Sequence, residues 1–174
     1  MIFFKNKNKG AGLLELLIYI AVLALILVTL INMLLAIGKT YGRLKSSRAI
    51  EAVGEVALEQ MTREIRKAST VNDNSILDTS PGKLILDTTD ADGNPATMEF
   101  SLIGEAIYQR FNDGVFNPLS ASSTVITSLI FRSLANGRTA MARVEITTES
   151  GEGVAFRSEK FYTTAVLRGS YLNQ

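Results

Sequence analysis

Neither cysteine nor histidine occurs among the 174 residues. Without cysteine no disulfide can staple the fold, and the redox state of a compartment leaves no signature in the chain. Without histidine the usual general base and the commonest transition-metal ligand are missing. Proline is scarce, with three in the chain and none between Ala11 and Pro81, so nothing in that interval forbids a long helix. Charge of either sign is nearly balanced at a net +1, which gives no bulk electrostatic reason to expect a nucleic acid or an acidic ligand.

What is present is concentrated at the start. From Ala11 to Ile37 run 27 residues in which Glu15 is the only charge and Asn32 the only amide. About 20 apolar residues cross a bilayer core as a helix, so the run is long enough to span. It is longer than the roughly 7–15 apolar residues of a secretory signal peptide, and no Ala-x-Ala-like site follows it. The small residue that could mark a cut, Gly10, precedes the run. This order predicts removal of a leader (residues 1–10) with the membrane helix left on the protein. Lys5, Lys7, Lys9 and the amino terminus lie before the span, and Lys39, Arg43, Lys45 and Arg48 after it. The positive-inside count is therefore balanced and does not orient the helix.

An acidic residue inside a membrane helix costs about 2.5–3.5 kcal/mol at its centre and less near the interface. Glu15 is accordingly a candidate functional residue in search of a cation. The alternative is an interfacial glutamate that reaches the headgroups. Tyr19 is either an interfacial anchor or a packing residue.

Gly10-Ala11-Gly12-Leu13-Leu14-Glu15-Leu16-Leu17-Ile18 resembles the class III leader junction and helix start of type IV prepilins and type II secretion pseudopilins. The resemblance covers roughly the first forty residues. It implies cleavage at Gly10–Ala11 by a membrane prepilin peptidase, N-methylation of Ala11, and Glu15 as fifth mature residue. There it would meet the amino terminus of its own or a neighbouring subunit and set subunit register. Two positions depart from the family pattern: Ala11 stands where phenylalanine is usual, and Gly12 where threonine is common. The implied partners are prepilin peptidase, other pilins or pseudopilins, the inner-membrane assembly machinery, and the lipid bilayer before assembly. No cofactor is implied, and no nucleic acid for the subunit itself. Many pilins of Gram-negative bacteria close a C-terminal loop with a disulfide, which this chain cannot form.

Past the span, Ile50, Val53, Ala57, Met61, Ile65 and Ala68 recur at intervals of three or four, the mark of one apolar helix face. Glu51, Glu55, Glu59, Arg63 and Lys67 take the opposite face, with Glu59 and Arg63 spaced for an i,i+4 ion pair. One nearly continuous helix is expected from Ala11 to about Ser69, its first part (11–37) apolar all round and its second (38–69) amphipathic. Gly38 and Gly42 are its weak points. The fold class expected is α+β: this long N-terminal helix packed on an antiparallel β-sheet head, residues 70–174.

Ser69–Gly82 reads as a linker. Strand-like runs follow at Lys83–Thr89, Ala96–Ile103, Glu105–Phe111, Ser123–Leu134, Thr139–Thr148 and Val154–Arg168, predicting one antiparallel sheet of five or six strands. Asp90-Ala91-Asp92-Gly93-Asn94-Pro95 and Asn136-Gly137 read as hairpin turns. Asp90 and Asp92 also alternate as in the opening of a calcium loop, but no bidentate glutamate or flanking helices follow. They are weak metal candidates, and a solvated turn is the expected reading. Asn112-Asp113-Gly114 and Asn117-Pro118 carry turn chemistry, with Phe111 and Phe116 expected against the sheet or, alternatively, in a partner-binding loop. Ser120, Ser122, Ser123 and Thr124 form a polar loop with no base to activate a nucleophile.

The sequence thus predicts a non-enzymatic structural subunit of a type IV pilus-like or pseudopilus filament. Leu58–Ala68 and Phe161–Arg168 loosely resemble minor members, favouring a minor role. Two alternatives stay open. One is a single-span membrane-anchored binding protein unrelated to filaments; the other is a tethered Ser/Lys hydrolase, for which no particular serine and lysine are paired.

Overall fold

A computed structural model describes residues 9–120, 124–135 and 140–171. Helix α1 runs Lys9–Lys67, followed by β1 (Thr70–Val71), β2 (Lys83–Thr89), β3 (Pro95–Ile103), β4 (Ala106–Phe111), β5 (Asn117–Pro118), β6 (Val125–Ala135), β7 (Ala140–Ser150) and β8 (Arg157–Val166). Short 3-10 turns occupy Gly153–Ala155 and Arg168–Tyr171. The chain is α+β, as its sequence predicts. It divides into two compact units between Tyr41 and Gly42.

In the first unit every described side chain from Gly12 to Tyr41 is exposed. A helix that is apolar all round and covered by nothing requires a nonaqueous neighbour. Neither Gly12 nor Gly38 breaks it, and Asn32 sits within it. Alanine-, leucine- and isoleucine-rich sequence without proline leaves the hydrogen-bond ladder intact. Thr29 and Thr40 return their hydroxyls to the carbonyls of Ile26 and Ala36, at 2.7 and 2.9 Å.

In the second unit the predicted stripe is the inner face of α1: Ile50, Val53, Ala57, Met61, Ile65 and Ala68 are all buried. All but Ile50 join one core with Leu84, Leu86 and Phe100 from β2 and β3, and with Leu129, Phe131, Val144 and Ile146 from β6 and β7. Gly54 lies on this face because Phe161 of β8 crosses it; a Cβ there would stand 2.7 Å from the ring. The expected Glu59–Arg63 ion pair does not form. Arg63 donates to Gln60 instead, and the ion pair on that face is Lys67–Glu64 at 3.0 Å. Both long cationic side chains choose the neighbour three residues back, within reach on the helix surface.

The strands form two antiparallel sheets rather than one: β1-β2-β3-β4-β5 and β6-β7-β8. β2 pairs with β3 from Lys83↔Ser101 to Thr89↔Pro95, and β7 pairs with β8 from Met141↔Val166 to Ser150↔Arg157. The break falls at β6. Its inner edge is taken by the chain before β2, where Asp78 and Gly82 donate their N–H groups to Phe131 and Leu129 carbonyls at 2.8 Å. This segment thus lies along β6 where a strand of the first sheet would otherwise pair, and the first sheet meets β6 at Glu105, whose carbonyl accepts from the Ile126 N–H at 2.9 Å. Ser69–Gly82 is therefore more than a linker, since it also supplies β1 and an Ile76↔Lys83 bridge.

The Asp90–Asn94 turn is closed by its own backbone. Asp90 Oδ1 accepts N–H groups from Asp92 and Asn94, at 2.9 and 2.8 Å, and Gly93 takes φ 85°. The Asn94 N–H is the leading reason the Asp90 carboxyl sits below its usual range. Asn136-Gly137, Ser122 and Ser123 lie outside the described residues. Phe111 departs from expectation and is exposed; it is the last residue of β4, before Asn112 with φ 50°. Phe116 packs edge-on to Tyr108, under the Arg110 guanidinium at 4.7 Å.

Candidate functional site

The candidate site begins where the apolar helix begins. Gly10 and Ala11 lie in the first turn of α1, where the leading N–H groups have no partner within the helix. One turn on, Glu15 Oε1 accepts a hydrogen bond of 2.7 Å from the Tyr19 hydroxyl. The four-residue spacing stacks the two side chains on one helix face. Tyr19 is therefore neither simply an anchor nor simply a packing residue. Its phenol supplies the carboxylate with a donor in a stretch offering no other polar side chain from Leu16 to Val28. A single hydrogen bond leaves most acceptor capacity of the carboxylate unused, because an ionised carboxylate offers about four lone-pair directions. The arrangement can hold Glu15 in one orientation while leaving it open to a cation. Sequence reasoning reached Glu15 and missed its donor, although a hydroxyl at i+4 in an apolar run was the available signal.

A second charged constellation lies on the outer face of the β6-β7-β8 sheet. Alternation along β7 buries Ala142, Val144 and Ile146 and turns Arg143 and Glu145 outward. Glu145 is nonetheless only 7% exposed, because three cations close over it. Lys160 Nζ lies at 2.9 Å from Oε2, and Arg132 Nε and Arg143 Nε lie at 3.1 Å from Oε1. The Arg143 contact is an ion pair without hydrogen-bond alignment. Arg132 also reaches Asp78 at 3.0 Å. The register sets Arg132 directly opposite Arg143, a like-charge pairing that destabilises a sheet. Glu145 offsets it by accepting a hydrogen bond from Arg132 and pairing its charge with Arg143. Arg143 in turn lies over the exposed Tyr162 ring, 5.1 Å from its centre.

The Lys160 hydrogen bond first, and the Arg132 bond next, hold the Glu145 carboxyl below its usual range. A depressed folded value means that the contribution is present above the unfolded pKa, about 4.3, and is lost as pH falls through the folded value. Glu145→Gln should lower stability at pH 7 by about 1 kcal/mol, the cations being partly solvated. The deficit should shrink below pH ~4. Thermal unfolding of the detergent-solubilised chain at pH 7 and pH 3 measures both; a deficit that does not change with pH would contradict this assignment.

Neither constellation contains a serine, so neither assembles the Ser/Lys pair of the hydrolase alternative. The groove between β2 and β3, about 400 Å³, is lined by Ser69, Asp87, Thr97 and Asn112 among others. Its carboxylate, Asp87, is already bonded to Thr70 and Asn72. Among the described residues no three acidic side chains cluster as metal ligands, and Asp90 spends its oxygens on its own turn.

Fold and site together define a class. It is an antiparallel two-sheet unit packed on the C-terminal part of a helix whose N-terminal part is long and apolar enough to cross a membrane. No protein-family model, no curated protein and no solved structure matches the chain.

Proposed function

We propose that the protein is a structural subunit, in a minor role, of a type IV pilus-like or pseudopilus filament, without enzymatic activity. Prepilin peptidase cuts between Gly10 and Ala11, the apolar helix holds the subunit in the membrane with its head outside the cytoplasm, and assembly transfers that helix into a filament core beside those of other subunits. The observation that carries this reading is the bare apolar helix with a single carboxylate, Glu15, near its start. A helix of this kind is equally at home among lipid tails and among like helices, because both are apolar. The carboxylate distinguishes the two states. In lipid it is a cost, whereas beside the positive amino terminus of another subunit it becomes an attraction that low dielectric strengthens.

Peptidase-dependent processing tests the reading. Immunoblotting with mass measurement should show loss of the ten leader residues only when active peptidase is present. Gly10→Val should leave the protein full-length. Full-length protein alongside active peptidase, or normal maturation of Gly10→Val, would reject it and favour an anchored protein unrelated to filaments.

A further inference from the structure

We infer that the Gly151–Arg157 loop, with the α1 turn beneath it, is a bilayer-contact surface that takes the headgroup and upper acyl region of an anionic membrane. The inference rests on the membrane reading above and extends it from the helix to the head.

The loop is pinned. Gly151 at φ 82° packs so closely on α1 that a Cβ would collide with Ser46 Oγ and the Ala155 carbonyl. A Cβ at Gly42 would meet that of Ala155 at 3.3 Å. Arg43 Nε donates to the Val154 carbonyl at 3.0 Å. Held this way, the 3-10 turn at Gly153–Ala155 points two large apolar side chains outward, Val154 at 59% and Phe156 at 47% exposed. Leu44 beside Arg43 is 52% exposed. Residues committed to an ordered loop and yet turned out of the core call for an apolar cover.

Charge and tether say what that cover is. Arg43, Lys45 and Arg48 are exposed on the same two turns of α1, and Arg157 is exposed where the loop ends. The chain carries no acid between Glu15 and Glu51, so on the loop itself Glu152 is the one opposing charge. Exposed apolar side chains on the loop, with arginine and lysine exposed on the adjoining turns of α1 and at the loop's end, match the boundary between anionic headgroups and acyl chains. Five residues of chain lie between Ile37, where the apolar run ends, and Arg43. Even fully extended they span only about 20 Å. A membrane holding the helix therefore lies within reach of the loop, and lipid is the neighbour always at hand.

Because the chain has no cysteine, single labels can be placed cleanly. Val154→Cys, Val115→Cys and Leu25→Cys would each carry an environment-sensitive fluorophore on the full chain, reconstituted into phosphatidylglycerol-containing vesicles with acyl-brominated lipid. Val115 is a matched control, being 80% exposed. It lies between β4 and β5, near Gln109, which meets α1 at Gln60. That contact is 17 residues beyond Arg43 on the helix, a rise of about 25 Å.

The expected result is blue-shifted, lipid-quenched emission at 154, weaker in phosphatidylcholine alone, with position 115 unquenched throughout. Quenching at 25 but not at 154 would overturn the loop proposal and leave the membrane helix standing. No quenching at 25 would overturn both. Emission at 154 shielded from aqueous iodide but not quenched by brominated lipid would assign the surface to a protein neighbour instead. Equal quenching at 154 in phosphatidylcholine alone would overturn the anionic character of the surface.

Discussion

Replacing Glu15 by alanine is expected to leave leader removal largely intact and to cut recovery of the protein in sheared filaments more than about tenfold. Two unit charges 4 Å apart attract by about 4 kcal/mol at an effective dielectric of 20, against about 1 kcal/mol in water. Losing even 1.4 kcal/mol per contact lowers each addition equilibrium about tenfold. Alanine also removes the desolvation cost of the carboxylate, so the monomer in lipid should be at least as stable as before. The defect then belongs to assembly and not to insertion. Tyr19→Phe provides the companion measurement. It deletes the hydroxyl that donates to Glu15 at 2.7 Å and keeps the ring. If the phenol orients the carboxylate, recovery should fall by less than in Glu15→Ala but measurably. Unchanged recovery of Glu15→Ala would reject the registry role, and unchanged recovery of Tyr19→Phe alone would reject orientation by the phenol.

Met61→Asp should unfold the head. Met61 is fully buried in the core that α1 shares with both sheets. No described cation lies among those core residues, so the carboxylate would be desolvated without compensation at a cost of several kcal/mol. Against a typical domain stability of about 5–15 kcal/mol, that leaves little or nothing. Met61→Leu conserves volume and chemistry and should cost less than about 1.5 kcal/mol. Limited proteolysis and urea unfolding of the detergent-solubilised chain separate the two outcomes. The apolar part of α1 should stay helical in both variants, since every side chain from Gly12 to Tyr41 is exposed and Met61 lies twenty residues beyond them. A Met61→Asp head that unfolds at the same urea concentration as the parent would show that the core does not depend on this face of the helix.

Local pattern carried a good part of this architecture. Three- and four-residue recurrence of apolar side chains located the buried face of α1, Ile50 through Ala68, because helix geometry alone decides which residues share a face. Strand limits such as Lys83–Thr89 were legible too, from a short strand-like run bounded by turn residues. Glu15 was legible because one acid in an apolar run needs no tertiary context to be anomalous. The phenol of Tyr19 lay within reach of the same local reasoning, at one helical turn.

What lay beyond it depends on contacts between residues far apart in the chain. Whether the strands make one sheet or two turned on which carbonyls of β6 were already taken, and Asp78 and Gly82, some fifty residues earlier, took them. Nothing near Gly54 in the chain points to Phe161, which lies across it. Arg132, Arg143 and Lys160 look like three solvated charges on three strands; pairing register alone converges them on Glu145. The sequence by itself thus determined the helix, its two kinds of surface and the odd carboxylate, all consequences of residues within one or two turns of each other. Tertiary structure alone decided the sheet partition, the cation cluster and the outward-facing loop at Val154, because side chains distant in sequence become neighbours only when the backbone's hydrogen bonds have chosen their partners.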